Sequence, residues 1–77
     1  SARQGDGDAQ FLLGRMYYDG NSIKVNYVEA LMWFSIAAKN GITVAERYKH
    51  GLSKKMSQAD IEKSKKKVKT WILKYQN

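Results

Sequence analysis

The sequence predicts an all-α chain, an αα-superhelix or solenoid fragment, on three observations. Apolar residues recur at three- and four-residue spacing in four segments, and strand-like alternation is sustained nowhere. Proline is absent from all 77 residues, which favours unbroken helices over a loop-rich or sandwich fold. A shift of 36 lays Ala2-Arg3-Gln4-Gly5 over Ala38-Lys39-Asn40-Gly41, Ala9 over Ala45 and Gln10 over Glu46. Helix end, glycine turn and next helix start thus occur twice, and a helix-pair period in the mid-thirties marks a solenoid.

The first helix is expected over residues 8–19. Ala9, Leu13, Met16 and Tyr17 recur at helical spacing, Asp6 and Asp8 suit the positive N-terminus, and Gly20 stands where a left-handed cap is wanted. After a short connection, Asn26 with Glu29 resembles a capping box for a second helix reaching about Asn40. Its apolar stripe is Ala30, Trp33, Phe34 and Ala37, and Gly41 ends it. Thr43 with Glu46 repeats the capping-box signal for a third helix over residues 44–53. Ser57 with Asp60 opens a fourth, which runs nearly to the end. Ile61, Val68, Trp71, Ile72 and Tyr75 share one face of it, with Ser64 as a polar gap, while Lys63, Lys66, Lys67 and Lys74 face elsewhere.

Composition bounds the function. A core of this size is marginal without added support. Cysteine is absent, which removes disulfides and thiolate metal sites, and the single histidine, His50, cannot build a zinc site without several carboxylates. No catalytic arrangement surrounds it, and there is no Gly-rich phosphate loop. No cofactor is expected. The longest apolar runs are a few residues, too short to span a membrane. The net charge of +7 is uneven. Residues 1–53 carry six Lys/Arg against five Asp/Glu, a net of +1, and residues 54–77 carry eight Lys against two acids, a net of +6.

At this point the residues resemble a family. Sel1-like repeats, relatives of the tetratricopeptide repeat, show a run similar to A-Q-x-x-L-G-x-x-Y-x-x-G and then D-Y-x-x-A-x-x-W-x-x-x-A-A-x-x-G. Ala9, Gln10, Leu13, Gly14, Tyr17 and Gly20 match the first run in order, and Tyr27, Ala30, Trp33, Ala37, Ala38 and Gly41 match the second. The loop departs from the family's frequent G-x-G-V-P, with Ser22, Ile23 and Lys24 in its place, and Asn26 stands where Asp is usual. Leu52, Lys55, Met56, Ser57, Asp60, Ile61 and Trp71 resemble the way many bacterial members end, with Leu52, Met56, Ile61, Val68 and Trp71 expected to form the cap.

The resemblance implies two units: residues 1–41 as one repeat, with the tail of a preceding repeat at 1–5, and residues 42–77 as a degenerate repeat plus capping helix. It further implies the C-terminal part of a larger, non-catalytic scaffold that binds a protein partner, with no small-molecule substrate and no specific nucleic acid. A periplasmic or secreted bacterial setting, in envelope or host-interaction roles, accompanies it.

Gly14 is expected to mark close helix packing, since glycine inside a helix costs ~1 kcal/mol relative to alanine. Trp33, Phe34 and Trp71 are read as core aromatics. Partner contact is expected at Phe11, Arg15, Tyr18 and Arg47, the family-variable positions of the first helices, because an exposed aromatic beside an Arg is the usual anchor composition. The rival is a basic module that binds nucleic acid or anionic membrane through Lys63, Lys65, Lys66, Lys67 and Lys69. Against it, Trp71 and Tyr75 fall on the packing face rather than among the lysines.

Overall fold

The computed structural model describes residues 6–75, so the expected tail of a preceding repeat at 1–5 lies outside the described residues. Four helices follow in order: α1 (Gly7–Asp19), α2 (Tyr27–Lys39), α3 (Thr43–Ser53) and α4 (Gln58–Tyr75). No strand occurs among the described residues, and none of these helices is long and apolar enough to cross a membrane.

The ends of α1 follow the sequence signals. The Asp6 carboxylate accepts the Ala9 N–H at 3.2 Å, and Gly20 adopts the left-handed conformation at φ 71°, its N–H donating to the Met16 carbonyl. Two residues later Ser22 also sits in the left-handed region, at φ 74°, without glycine's freedom to do so. Asn26 caps α2 by accepting the Glu29 N–H at 3.1 Å, but the return half of the expected capping box is missing. The Asn26 N–H donates instead to the Tyr17 carbonyl at 3.0 Å, and the Glu29 carboxylate pairs with Lys67 of α4 at 3.0 Å.

The turn after α2 corrects the start of α3. Gly41, at φ 91°, donates its N–H to Ala38, and Ile42 donates to Ala37, the paired bonds of a Schellman motif. Ile42 thereby becomes the cap residue of α3, with no side-chain cap bond, and Thr43 is already helical. The Thr43–Glu46 capping box does not form, because Ile42 is needed against α1, where a Cβ on Gly7 would come within 2.6 Å of it. Ser57 does cap α4, its hydroxyl accepting the Asp60 N–H at 3.1 Å.

Packing centres on α2, which touches each of the other three helices. The single stripe Ala30, Trp33, Phe34 and Ala37 is therefore too narrow: Leu31, Met32 and Ile36 are buried as well. A helix that is apolar all round belongs between neighbours rather than at a surface. On one side, Ala30, Leu31, Phe34 and Leu52 form a cluster flanked by Phe11, Tyr17, Tyr18, Tyr27, Tyr48, Met56 and Ile61. On the other, Met32, Ile36, Val68 and Trp71 are joined by Trp33, Ile72 and Tyr75. Trp33 and Trp71 meet edge to face at 5.8 Å, so Trp33, Phe34 and Trp71 are core aromatics but serve two different clusters.

The stripe expected on α1 is also displaced. Ala9, Leu13, Met16 and Tyr17 are only half-buried, and the fully buried positions are Gly7, Gln10 and Gly14. Small residues let α1 approach α2: a Cβ on Gly14 would lie 2.5 Å from Phe34 Cδ1. The Gln10 side-chain carbonyl accepts the Asn40 amide at 2.8 Å, tying the start of α1 to the end of α2. The polar gap on α4 has a similar use, since the buried Ser64 hydroxyl donates to the Val28 carbonyl at 3.1 Å.

Candidate functional site

The two first helices, α1 and α3, present one aromatic surface. Phe34, fully buried beneath it, lies 5.8 Å from Phe11, 6.2 Å from Tyr18 and 5.2 Å from Tyr48, centroid to centroid. Tyr48 meets Phe11 edge-on at 5.3 Å and Tyr18 at 6.2 Å, and Tyr18 stacks on Tyr27 at 5.8 Å. Such tilted and edge-to-face pairs are the favoured arrangements of aromatic quadrupoles, and they fix the rings.

Cations lie over this aromatic layer. The Arg15 guanidinium carbon stands 5.2 Å from the Tyr48 ring centre and pairs with Asp19 at 3.1 Å. The Lys55 ammonium donates to the Tyr18 hydroxyl at 3.0 Å and lies 5.3 Å from that ring's centre. The hydrogen bond it donates to the hydroxyl holds Lys55 above its ordinary pKa. Arg47 is exposed on α3. A groove of about 360 Å³ opens here, lined by Tyr18, Arg47, Tyr48, Gly51, Leu52 and Lys55. Its wall is low at Gly51, where an added Cβ would meet nothing within 4 Å.

The four expected contact residues therefore share one surface, but not as free-standing anchors. Phe11 and Tyr18 are half-buried against the core, because Phe34 needs rings on both sides, and Arg15 is held by Tyr48 and Asp19. Tyr48, Gly51 and Lys55 belong to the same groove and escaped the sequence reading as contact residues. The 36-residue shift carries a signal for two of them: it lays Gly51 over Arg15 and Lys55 over Asp19. The Arg–Asp pair of α1 thus becomes a bare glycine and an opposite charge at α3.

Elsewhere the lysines of α4 are exposed, with Lys65 3.6 Å from Glu62 and Lys67 on Glu29. His50 is exposed, and no group of His, Asp or Glu among the described residues could hold a metal ion.

No curated protein matches the chain. The family model of the Sel1 repeat does match, over residues 7–42, which is α1, the connecting loop, α2 and the Schellman turn. Sel1 repeats in general mediate protein–protein interaction and are typically non-catalytic. Ala30 and Ala37 are buried in α2, Gly14 lies beneath Phe34, and Gly20 and Gly41 take the positive φ that their turns require. The helix pair and the family model thus agree, and residues 7–42 form a Sel1 repeat.

Proposed function

We propose that this chain is a non-catalytic scaffold module that captures a protein partner across the face shared by α1 and α3. The observation that carries this is the groove at Tyr18, Arg47, Tyr48 and Gly51, an open patch in which rigid aromatic rings lie beside cations. Aromatic and Arg side chains with little freedom left to lose are the composition of interface anchors. Residues 42–77 serve as the degenerate repeat and cap, a role supported by Leu52, Met56, Ile61, Val68 and Trp71 reaching both clusters around α2. A bacterial envelope or host-interaction setting goes with this reading through the resemblance of the C-terminal segment.

Site-directed photo-crosslinking in the producing cells tests the reading. A photoreactive phenylalanine analogue at Arg47 is expected to give a discrete protein adduct, and the same analogue at Lys63 on α4 is not. Adducts confined to Lys63, or adducts to nucleic acid alone, would overturn the scaffold reading in favour of the lysine helix.

A further inference from the structure

We infer that the α1/α3 groove is built for an acidic peptide segment that seats an apolar side chain beside Gly51 and its carboxylates on Arg47 and Lys55. This rests on the proposal that the same face captures a protein, and it adds the chemistry of what is captured. Charge complementarity carries it. None of the residues lining the groove is a carboxylate, whereas Arg47 and Lys55 both border it. Asp19, the nearest acid on α1, is already engaged by Arg15. The groove on the far side of α2 has the same excess of two cations but holds a carboxylate of its own, since Glu29 lines it beside Lys66, Lys67 and Lys74 and pairs with Lys67 at 3.0 Å.

One of the two cations of the α1/α3 groove is also pre-positioned. Tyr18 holds Lys55 by a hydrogen bond, so fewer rotamers of that side chain are lost when an anion binds. Gly51 supplies the space. Where α1 carries Arg15, α3 carries no side chain at all, and the flank of the half-buried Tyr48 is left open for an apolar group.

The experiment uses a fluorescent peptide of Glu-Asp pairs alternating with single Phe residues, its Gln-Asn analogue, and a mixed-sequence oligonucleotide, each followed by anisotropy. The acidic peptide is expected to bind the wild-type chain with a Kd in the tens of micromolar, roughly the strength of a single-groove contact, and to weaken as salt rises. The Gln-Asn analogue should bind at least ~10-fold more weakly. Gly51→Gln, whose Cβ meets no neighbour and whose side chain occupies the open space beside Tyr48, should cost the acidic peptide at least ~10-fold while leaving the melting temperature at or above wild type. Arg47→Gln with Lys55→Gln should cost as much without filling the groove, so the test does not depend on one variant.

Equal binding of both peptides, lost in Gly51→Gln, would remove the acidic chemistry and leave the α1/α3 face standing. Acidic-peptide binding indifferent to both variants would remove the groove itself. Preference for the oligonucleotide, or no peptide binding below about 1 mM, would overturn the inference, and the Arg47 crosslink then judges the capture face independently.

Discussion

Gly14 and Gly51 both stand inside helices, and filling them should move stability in opposite directions. Glycine costs ~1 kcal/mol relative to alanine in a helix interior, so both substitutions start with the same gain. At Gly51 nothing opposes it, because the new Cβ meets no atom within 4 Å. The position lies in the last turn of α3, so about 0.5 kcal/mol of the gain should remain. At Gly14 the new Cβ would stand 2.5 and 2.6 Å from two carbons of Phe34. Carbon atoms rest at ~3.5–4.0 Å, so the ring or the helix must withdraw by about 1 Å. Phe34 is fully buried among Phe11, Tyr18 and Tyr48 and has nowhere to go. Overpacking of this kind costs ~1–3 kcal/mol, and the upper part of that range less the helical gain leaves a net loss of about 1–2 kcal/mol. For a chain of this size the melting temperature should fall by roughly 4–16 °C in Gly14→Ala and rise by roughly 2–4 °C in Gly51→Ala. Thermal and urea unfolding followed by circular dichroism measure both. A Gly14→Ala midpoint at or above wild type would refute the close-approach argument. A Gly51→Ala midpoint below wild type would refute the open space at Gly51 in the groove wall.

Other expectations follow from single positions. Ser22→Gly should stabilise by about 0.5–1 kcal/mol, since Ser22 occupies the left-handed region at φ 74°; an unchanged urea midpoint would mean the loop relieves that conformation at no cost. Trp71→Ala should cost ~3 kcal/mol by emptying the Met32–Val68 cluster and unseating Trp33, and a melting temperature within a degree or two of wild type would contradict its place in a core. Appending one upstream Sel1 repeat should raise the urea midpoint by covering Leu12, 60% exposed, and the half-buried Leu13 and Met16; no change would show that this face has no affinity for a neighbour.

The helices and their ends were legible wherever one residue carries the whole signal. Gly20, Gly41, Asn26 and Ser57 each act through their own backbone or side chain, and each lies where the sequence puts it. Signals shared between two residues were less secure. Glu29 could return to Asn26 or reach Lys67, and Thr43 could cap α3 or yield to Ile42; tertiary contacts with α4 and α1 decided both. The burial of α2 on two sides was hidden for the same reason, because Met32 and Ile36 are core residues only once α4 arrives. At the candidate site, Phe11, Arg15, Tyr18 and Arg47 were expected as contacts from the motif's variable positions, and of these Tyr18 and Arg47 line the groove. Tyr48 and Lys55 were not, because neither is distinctive until α1 and α3 lie side by side.

The position of α2 bears on how the chain comes apart. In a regular array each unit meets its neighbour at one seam, so an end unit can open while the rest holds. Here the helix that closes the first pair is also the floor of the second, and losing either neighbour exposes Phe34 on one side or Ile36 and Trp71 on the other. Partial opening therefore gains little freedom for the apolar surface it wets, and the slowest-exchanging amides should run along α2 from Leu31 to Ala37. Their exchange would report the whole chain's stability, and a ligand bound across α1 and α3 would slow amides that face α4 as well.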